Sequence, residues 1–433
     1  MKYRNPLWNF VFVFVGLGLL SAQSALAQSN VTTTTLSDVT LQAPVVTQAP
    51  VVTQAPVTPV TPVTPVAPQI QTLDYGVYTP ACQSCDAAPA PEDDGPWKLF
   101  NTDRFNIGGW FQFGYHSEGN DLFNSRPDAF NLQQAWFFFE KEAVSENGEL
   151  AFGFRFDGVY GIDGPDTQSF GNSGGTFDNS PSFTRGSQFG WAIPQAYAEV
   201  AKGDWSVKVG HFYTLVGYEV VPAPDNFFYS HSITTFNTEP FTHTGAVATW
   251  NATDDLTIYG GWTAGWDTGF DFDTGSSFLG GFGTQLSEDV AFTYITTIGD
   301  LGLRSNGENG YSHSMVWDVA LTDKLQYVLQ SDLLSVEATG EDNVGINQRF
   351  IYNVNDRIGV GTRIEWWKGD ENTGYAPFGA PDPTGSTSYY AATFGMNYHL
   401  NKNLRIRPEY RYDWSPGLGF DEGYVGIDLI GLY

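Results

Sequence analysis

The sequence predicts an all-β fold, a transmembrane antiparallel up-and-down β-barrel of about 16 strands preceded by a disordered Pro-rich segment. Three observations predict it. Aromatic residues make up 16% of the 433 residues and Gly numbers 48, while charged residues reach only 16%. From Phe105 onward apolar and polar residues alternate with period two, over roughly the 9 to 11 residues a tilted strand needs to cross a bilayer. Short and long connections then take turns between these stretches. A secreted β-sandwich or β-helix shares the composition, so the alternation and the loop pattern carry the assignment.

The first element is an export signal. Lys2 and Arg4 precede an apolar run from Leu7 to Leu20, and Ala25-Leu26-Ala27 supplies small residues for cleavage, so residues 1–27 read as a signal peptide. No later stretch approaches the ~18 consecutive apolar residues of a transmembrane helix. Residues 43–68 repeat APVVTQ and then VTP, a polyproline-type spacer. Residues 28–96 are therefore expected to be a flexible periplasmic segment, and 97–433 the outer-membrane barrel. Cys82 and Cys85 are the only cysteines, spaced C-x-x-C within the spacer. In an exported chain a local disulfide is expected; a redox pair would want a helix N-terminus, and zinc two further ligands.

The strands follow in order. Phe105, Ile107, Gly109, Phe111, Phe113 and Tyr115 share one face, and Asn106, Gly108, Trp110, Gln112 and Gly114 the other. The same pattern recurs from Leu150 to Asp157, from Trp205 to Gly210 and from Arg357 to Trp366. Strands are expected to begin near 105, 131, 149, 190, 204, 244, 255, 278, 289, 312, 324, 345, 356, 387, 402 and 422. Long connections are expected at 116–130, 158–189, 213–243, 266–277, 299–311, 335–344, 368–386 and 413–421. Pro194 and Pro408 fall inside proposed strands and require a bulge or a break in the ladder. In the last strand Val425, Ile427, Leu429, Gly431 and Tyr433 share one face, the pattern of a barrel-closing strand and assembly signal.

The segments Pro194-Gln-Ala-Tyr-Ala-Glu-Val200, Gly210-His-Phe-Tyr-Thr-Leu-Val-Gly-Tyr-Glu219, Asn226-Phe-Phe-Tyr-Ser-His-Ser232 and Pro240-Phe-Thr-His-Thr-Gly245 resemble the OmpL-like β-barrel porin family over most of 97–433. The resemblance implies an outer-membrane channel and names no solute.

Charge placement suggests where the channel narrows. Arg349, Arg357, Arg363, Arg405, Arg407 and Arg411 cluster in the last third, and alternation puts Arg363, Arg405, Arg407 and Arg411 on the polar face, as it does Arg155. An Arg facing hydrocarbon would cost about 2–4 kcal/mol at mid-bilayer, so these side chains should line the lumen. The long loop 213–243 carries Glu219, Asp225 and Glu239 with the aromatics Phe227, Phe228, Tyr229, Phe236 and Phe241. Folded inward, it would set acid against base across the pore. The competing reading pairs the arginines with wall carboxylates such as Glu365 and Glu409.

No catalytic motif, cofactor or metal site stands out. His231 and His243, placed in one long loop, read as hydrogen-bonded structural residues before a metal or catalytic pair. Asp271-Phe-Asp273-Thr-Gly275 looks like part of a calcium loop but lacks the later Glu. The net charge of −28 becomes −30 once Lys2 and Arg4 are removed with the signal, which disfavours nucleic acid and anionic lipid as partners. The expected function is a passive diffusion channel for small hydrophilic solutes, weakly cation-preferring and not an enzyme. Its partners would be outer-membrane lipid, the solutes, the barrel-assembly machinery and two further copies in a homotrimer. The alternatives are a solute-selective channel, for sugars or oligosaccharides, with Trp110 and Tyr389 as lumen aromatics, or a structural or adhesive barrel. Short turns and both termini are expected on the periplasmic side, long loops outside.

Overall fold

The computed structural model describes residues 105–121, 123–171, 175–184, 188–369 and 387–433. The signal segment 1–27, the Pro-rich segment 28–96 and the Cys82/Cys85 pair lie outside the described residues.

Sixteen antiparallel strands close into one barrel. They are β1 (Asn106–His116), β2 (Asn131–Lys141), β3 (Ala151–Gly161), β4 (Gly190–Lys202), β5 (Trp205–Tyr213), β6 (Thr242–Thr253), β7 (Leu256–Thr263) and β8 (Ser276–Ser287). The second half comprises β9 (Val290–Asp300), β10 (Asn309–Thr322), β11 (Leu325–Val336), β12 (Glu341–Asn355), β13 (Ile358–Gly369), β14 (Thr387–His399), β15 (Leu404–Ser415) and β16 (Phe420–Leu432). Each pairs with its neighbour in sequence, and β16 pairs with β1 from Trp110↔Leu432 to His116↔Gly426. Closure removes the sheet edge that would otherwise leave backbone groups unpaired.

Alternation sets the faces as the sequence suggests. Phe111, Phe113, Val207, Val209, Val425, Ile427 and Leu429 point outward and are exposed, whereas Trp110, Gln112, Asp428 and Ile430 point inward and are buried. The two prolines are absorbed as their missing N–H requires. Pro194 lies where the β3–β4 register shifts between Asp157 and Val159. Pro408 lies where the β14–β15 ladder skips from Gly395↔Glu409 to Tyr398↔Ile406.

Two expected long loops are corrected to tight turns, 337–340 and 416–419, because the flanking strands run further than their sequence pattern shows. Gly340 and Gly419, at φ +68° and +63°, supply the left-handed residue that lets each turn close without strain. His243, expected in the long loop, belongs to β6.

Part of the interior is packed with apolar side chains. Trp110, Trp136, Val159, Tyr213, Val221 and Phe241 form one buried apolar cluster, and Tyr197, Phe212, Leu215, Val216, Val247, Tyr259, Leu279 and Ile295 another. Both include residues from the segment between β5 and β6, which therefore lies within the barrel.

Candidate functional site

The chain leaves the wall after Tyr213 and re-enters it at Thr242. An irregular segment held inside a barrel has backbone N–H and C=O groups without a ladder, and each needs a partner. The wall supplies these partners as side chains. Arg407 Nη1 donates to the carbonyls of Ala223, Asn226 and Phe228 at 3.0, 2.6 and 3.0 Å, and Arg405 Nη2 to that of Pro224 at 2.6 Å. Arg363 Nη1 donates to the Ser230 carbonyl at 2.7 Å, and Arg411 Nη1 to that of His231 at 2.5 Å. In the opposite sense, Glu409 accepts from the backbone N–H groups of Tyr229 and Ser230 at 2.9 and 3.0 Å, and Glu365 from that of Ile233 at 2.7 Å. Arginine suits the task because its rigid fork carries five donors and keeps its charge when buried. The loop contains a 3-10 turn at Ala223–Asp225 and one short α-helix, Ile233–Thr238, capped by the Ser232 hydroxyl accepting from Thr235 N–H.

The acids expected on this loop do not stand across an open gap from the arginines. Glu219 Oε1 is 2.7 Å from Arg363 Nη1 and 3.0 Å from Arg349 Nη2, while its Oε2 accepts from Ser232 N–H at 2.7 Å. Separated charges inside a packed lumen would each bear an unpaired desolvation cost, and contact removes it. Burial works against the charge of Glu219, yet the guanidiniums of Arg363 and Arg349 hold its carboxyl well below the usual carboxylate range. Ion pairs then link Arg349, Arg363, Arg407 and Arg411 to Glu219, Glu365, Asp413 and Asp428, four charges of each sign. Arg363 pairs with the wall residue Glu365 at 2.7 Å as well as with the loop, but Glu409 serves the loop backbone.

The other two acids behave differently. Glu239 accepts from Gln330 Nε2 at 2.5 Å, and the same nitrogen donates to Asp332 at 2.8 Å. Burial and the neighbouring Asp332 charge push Glu239 well above the usual range. Asp225 is pushed up to about 7 by burial, against the pull of Arg405 and Arg155. Arg155 stands apart on β3, paired with Asp157 at 2.8 Å and Glu140 at 3.2 Å.

His231 and His243 are held by separate partners. His231 Nδ1 lies 3.8 Å from Glu219, whereas His243 contacts the Thr214 hydroxyl at 3.0 Å and the Gly265 carbonyl at 3.1 Å. Burial lowers His231 to about 4, which leaves its ring neutral. Trp110 and Tyr389 belong to different buried clusters, Trp110 stacked on Trp136 at 4.7 Å and Tyr389 against Trp367 at 5.6 Å. Asp271 accepts from Asp273 N–H at 3.3 Å in a local turn. Among the described residues no group of three or more His, Cys, Asp or Glu is arranged to hold a metal ion.

Several residues that seat the loop escape the sequence reading. Arg349 is one. Gln134 is another, donating to the Val221 carbonyl at 2.8 Å and accepting from Ala223 N–H at 3.1 Å. The third group is glycine. A Cβ at Gly361 would lie 2.6 Å from the Phe227 ring, and one at Gly114 would lie 2.0 Å from the Tyr229 hydroxyl. The signal was present as Gly at inward strand positions, beside Arg363 in the case of Gly361, but the ring each one admits is distant in sequence. Gly361→Leu should therefore expel Phe227 and make loop 214–241 susceptible to limited proteolysis of the purified barrel. Gly260→Leu, whose Cβ has no neighbour closer than 3.9 Å, should leave it resistant. Identical digestion of the two variants would contradict the seat.

A family model described as "Putative beta-barrel porin-2, OmpL-like" matches residues 104–424. The fold is similar to that of Salmonella typhi OmpF in complex with daunomycin, with TM-score 0.53 and 13% identity, covering 78% of this chain and 100% of that one. The outer membrane channel DcaP of Acinetobacter baumannii gives TM-score 0.49 and 12% identity, covering 77% and 99%. A trimer form of OmpT, an outer membrane protein of Vibrio cholerae, gives 0.49 and 12%, covering 76% and 99%. No curated protein matches.

Proposed function

The chain belongs to the OmpL-like beta-barrel porin-2 family and is an outer-membrane porin, and from that premise we propose that it is a passive diffusion channel for small hydrophilic solutes, with loop 214–241 as its constriction. The observation that carries this reading is the seating of that loop inside the wall by Arg363, Arg405, Arg407 and Arg411. Glu219, Asp225 and Glu239 are the acids of the constriction, and Arg155 lines the lumen beside β4. Because short turns of such barrels face the periplasm, the turns and both termini are assigned there and the long loops outside. The assembly proposed is a homotrimer, delivered by the barrel-assembly machinery.

The test is reconstitution in a planar bilayer, together with swelling of liposomes in sugars of graded size. Discrete conductance steps, and swelling rates that fall smoothly with solute size, are the expected result. A solute-selective channel would instead show saturation for one sugar class. A barrel that inserts but neither conducts nor permits swelling would overturn the channel reading.

A further inference from the structure

Most of the outer wall away from the strand ends is apolar or aromatic, as at Phe111, Phe113, Phe156, Val209 and Val425. The sector β9 to β13 departs from this. Thr296, His313, Ser331, Gln348 and Thr362 each take an outward position there, flanked by inward neighbours such as Ser312, Ser314, Gln330, Asp332, Asn347, Arg349 and Arg363.

These five side chains form a band. His313 pairs with Thr296; Ser331 pairs with Met315, two positions further on; Gln348 pairs with Leu329, and Thr362 with Phe350. Each step from β10 to β13 therefore descends two residues toward the short-turn end. The ladder itself climbs. Paired residues followed around the wall lead from Asn106 at the short-turn end of β1, through Tyr197 and Ser277, to Glu341 at the long-loop end of β12. Descent and climb oppose each other, so the band stays near one depth within the span, as strand tilt in a closed barrel requires.

Part of the band's bonding capacity is met locally. The Thr296 hydroxyl donates to the Ser312 carbonyl at 2.6 Å, the Tyr311 hydroxyl contacts His313 Nδ1 at 2.9 Å, and the Tyr327 hydroxyl donates to Gln348 Oε1 at 3.0 Å. His313 Nε2, the Ser331 hydroxyl and the Gln348 amide N–H groups remain to be satisfied. Hydrocarbon offers them nothing, and a polar group buried in it without a partner is costly. An ionisable side chain at membrane depth characteristically faces protein or water.

On the reading of the chain as a membrane-spanning porin, we propose that the β9–β13 sector is the contact surface between copies of this chain, with the polar band at its centre. A second copy is the occupant the chemistry favours. Histidine, serine and glutamine each present both a donor and an acceptor, so the band is complementary to itself. A lipid headgroup would meet the strand ends instead.

The experiment is site-directed crosslinking in the native membrane. In a background with Cys82→Ser and Cys85→Ser, Ser331→Cys treated with a short bis-maleimide should give covalently linked chains, whereas Phe152→Cys and Val425→Cys should remain monomeric on denaturing gels. Gln348→Leu together with His313→Leu should also weaken the oligomer seen in mild detergent. The proposal falls if Ser331→Cys stays monomeric, or if the control positions crosslink as well as it does. Bilayer conductance of the same preparations is read in parallel, so that loss of the contact surface and loss of the channel function are told apart.

Discussion

Replacing Glu219 with Gln is expected to unseat loop 214–241, raise single-channel conductance severalfold and move the reversal potential toward anion selectivity. The carboxylate is the loop's main charged link to the wall, touching Arg363 and Arg349 at 2.7 and 3.0 Å. Removing one partner from a buried ion pair costs about 3–5 kcal/mol, because the other charge is left uncompensated. A carboxamide cannot rescue the site, since every group pointing at Glu219 from Arg363, Arg349 and Ser232 is a donor and one of its two ends is a donor as well. Sixteen paired strands do not depend on this contact, so the barrel should survive and the cost should be relieved by moving the loop and hydrating the arginines. The lumen then carries an exposed positive wall, which attracts anions. Substituting Asp225 or Glu239 should have a smaller effect, because burial favours their neutral forms. The pH dependence has the matching sign. The folded carboxyl of Glu219 lies below its unfolded value, so its contribution is present at neutral pH and is lost only as pH falls through that depressed value. Recordings at low and high salt separate the causes. At 1 M the Debye length is about 3 Å, so distant loop charges are screened while a constriction effect persists. Unchanged conductance and reversal potential in Glu219→Gln would remove loop 214–241 from the conduction path.

What the sequence disclosed, and what it did not, divides along one physical line. A membrane barrel writes its strands locally: period two places Trp110 and Gln112 inward and Phe111 and Phe113 outward without reference to any other strand. The turns 337–340 and 416–419 read as long loops in sequence because Glu341, Asn343 and Ser415 are polar where the strand is still paired. Inward-facing polarity at a strand end looks like a loop. Partnerships inside the lumen are a different matter. Alternation assigns Arg363 to the interior, but only the three-dimensional course of loop 214–241 brings Glu219 against it, 144 residues earlier in the chain. Once acid and base share a packed lumen, contact is cheaper than separation, so the expected transverse field gives way to a clamp. The glycines at 114 and 361 show the same limit, since a glycine records that space is needed and not which ring fills it.

Replacing Tyr433 with Asp is expected to reduce sharply the amount of barrel recovered in the outer membrane, while Tyr433→Phe should cost far less. Tyr433 fastens the seam at which the sheet closes. Its backbone N–H donates to the Gly109 carbonyl at 2.9 Å, and its carbonyl accepts from Gly109 N–H at 3.0 Å. Its side chain crosses β1 above Gly109 and donates its hydroxyl to the Trp136 carbonyl on β2 at 2.7 Å, so one residue ties β16 to two strands. The ring also lies 5.2 Å from that of Phe111 on the outer face. Aspartate loses the ring contact, leaves the Trp136 carbonyl without its hydroxyl donor and puts a charge on the outward face. Phenylalanine keeps the ring and forfeits one hydrogen bond, a net loss of about 1 kcal/mol. The consequence is large because closure is cooperative: if the seam opens, the ladder from Trp110 to His116 becomes two edges whose N–H and C=O groups face hydrocarbon. Gel mobility of outer-membrane fractions with and without boiling reads the outcome, because a closed barrel resists detergent until heated. A normal yield of the heat-modifiable form in Tyr433→Asp would show that the seam holds without its clasp, and that Val425, Ile427 and Leu429 suffice to close the barrel.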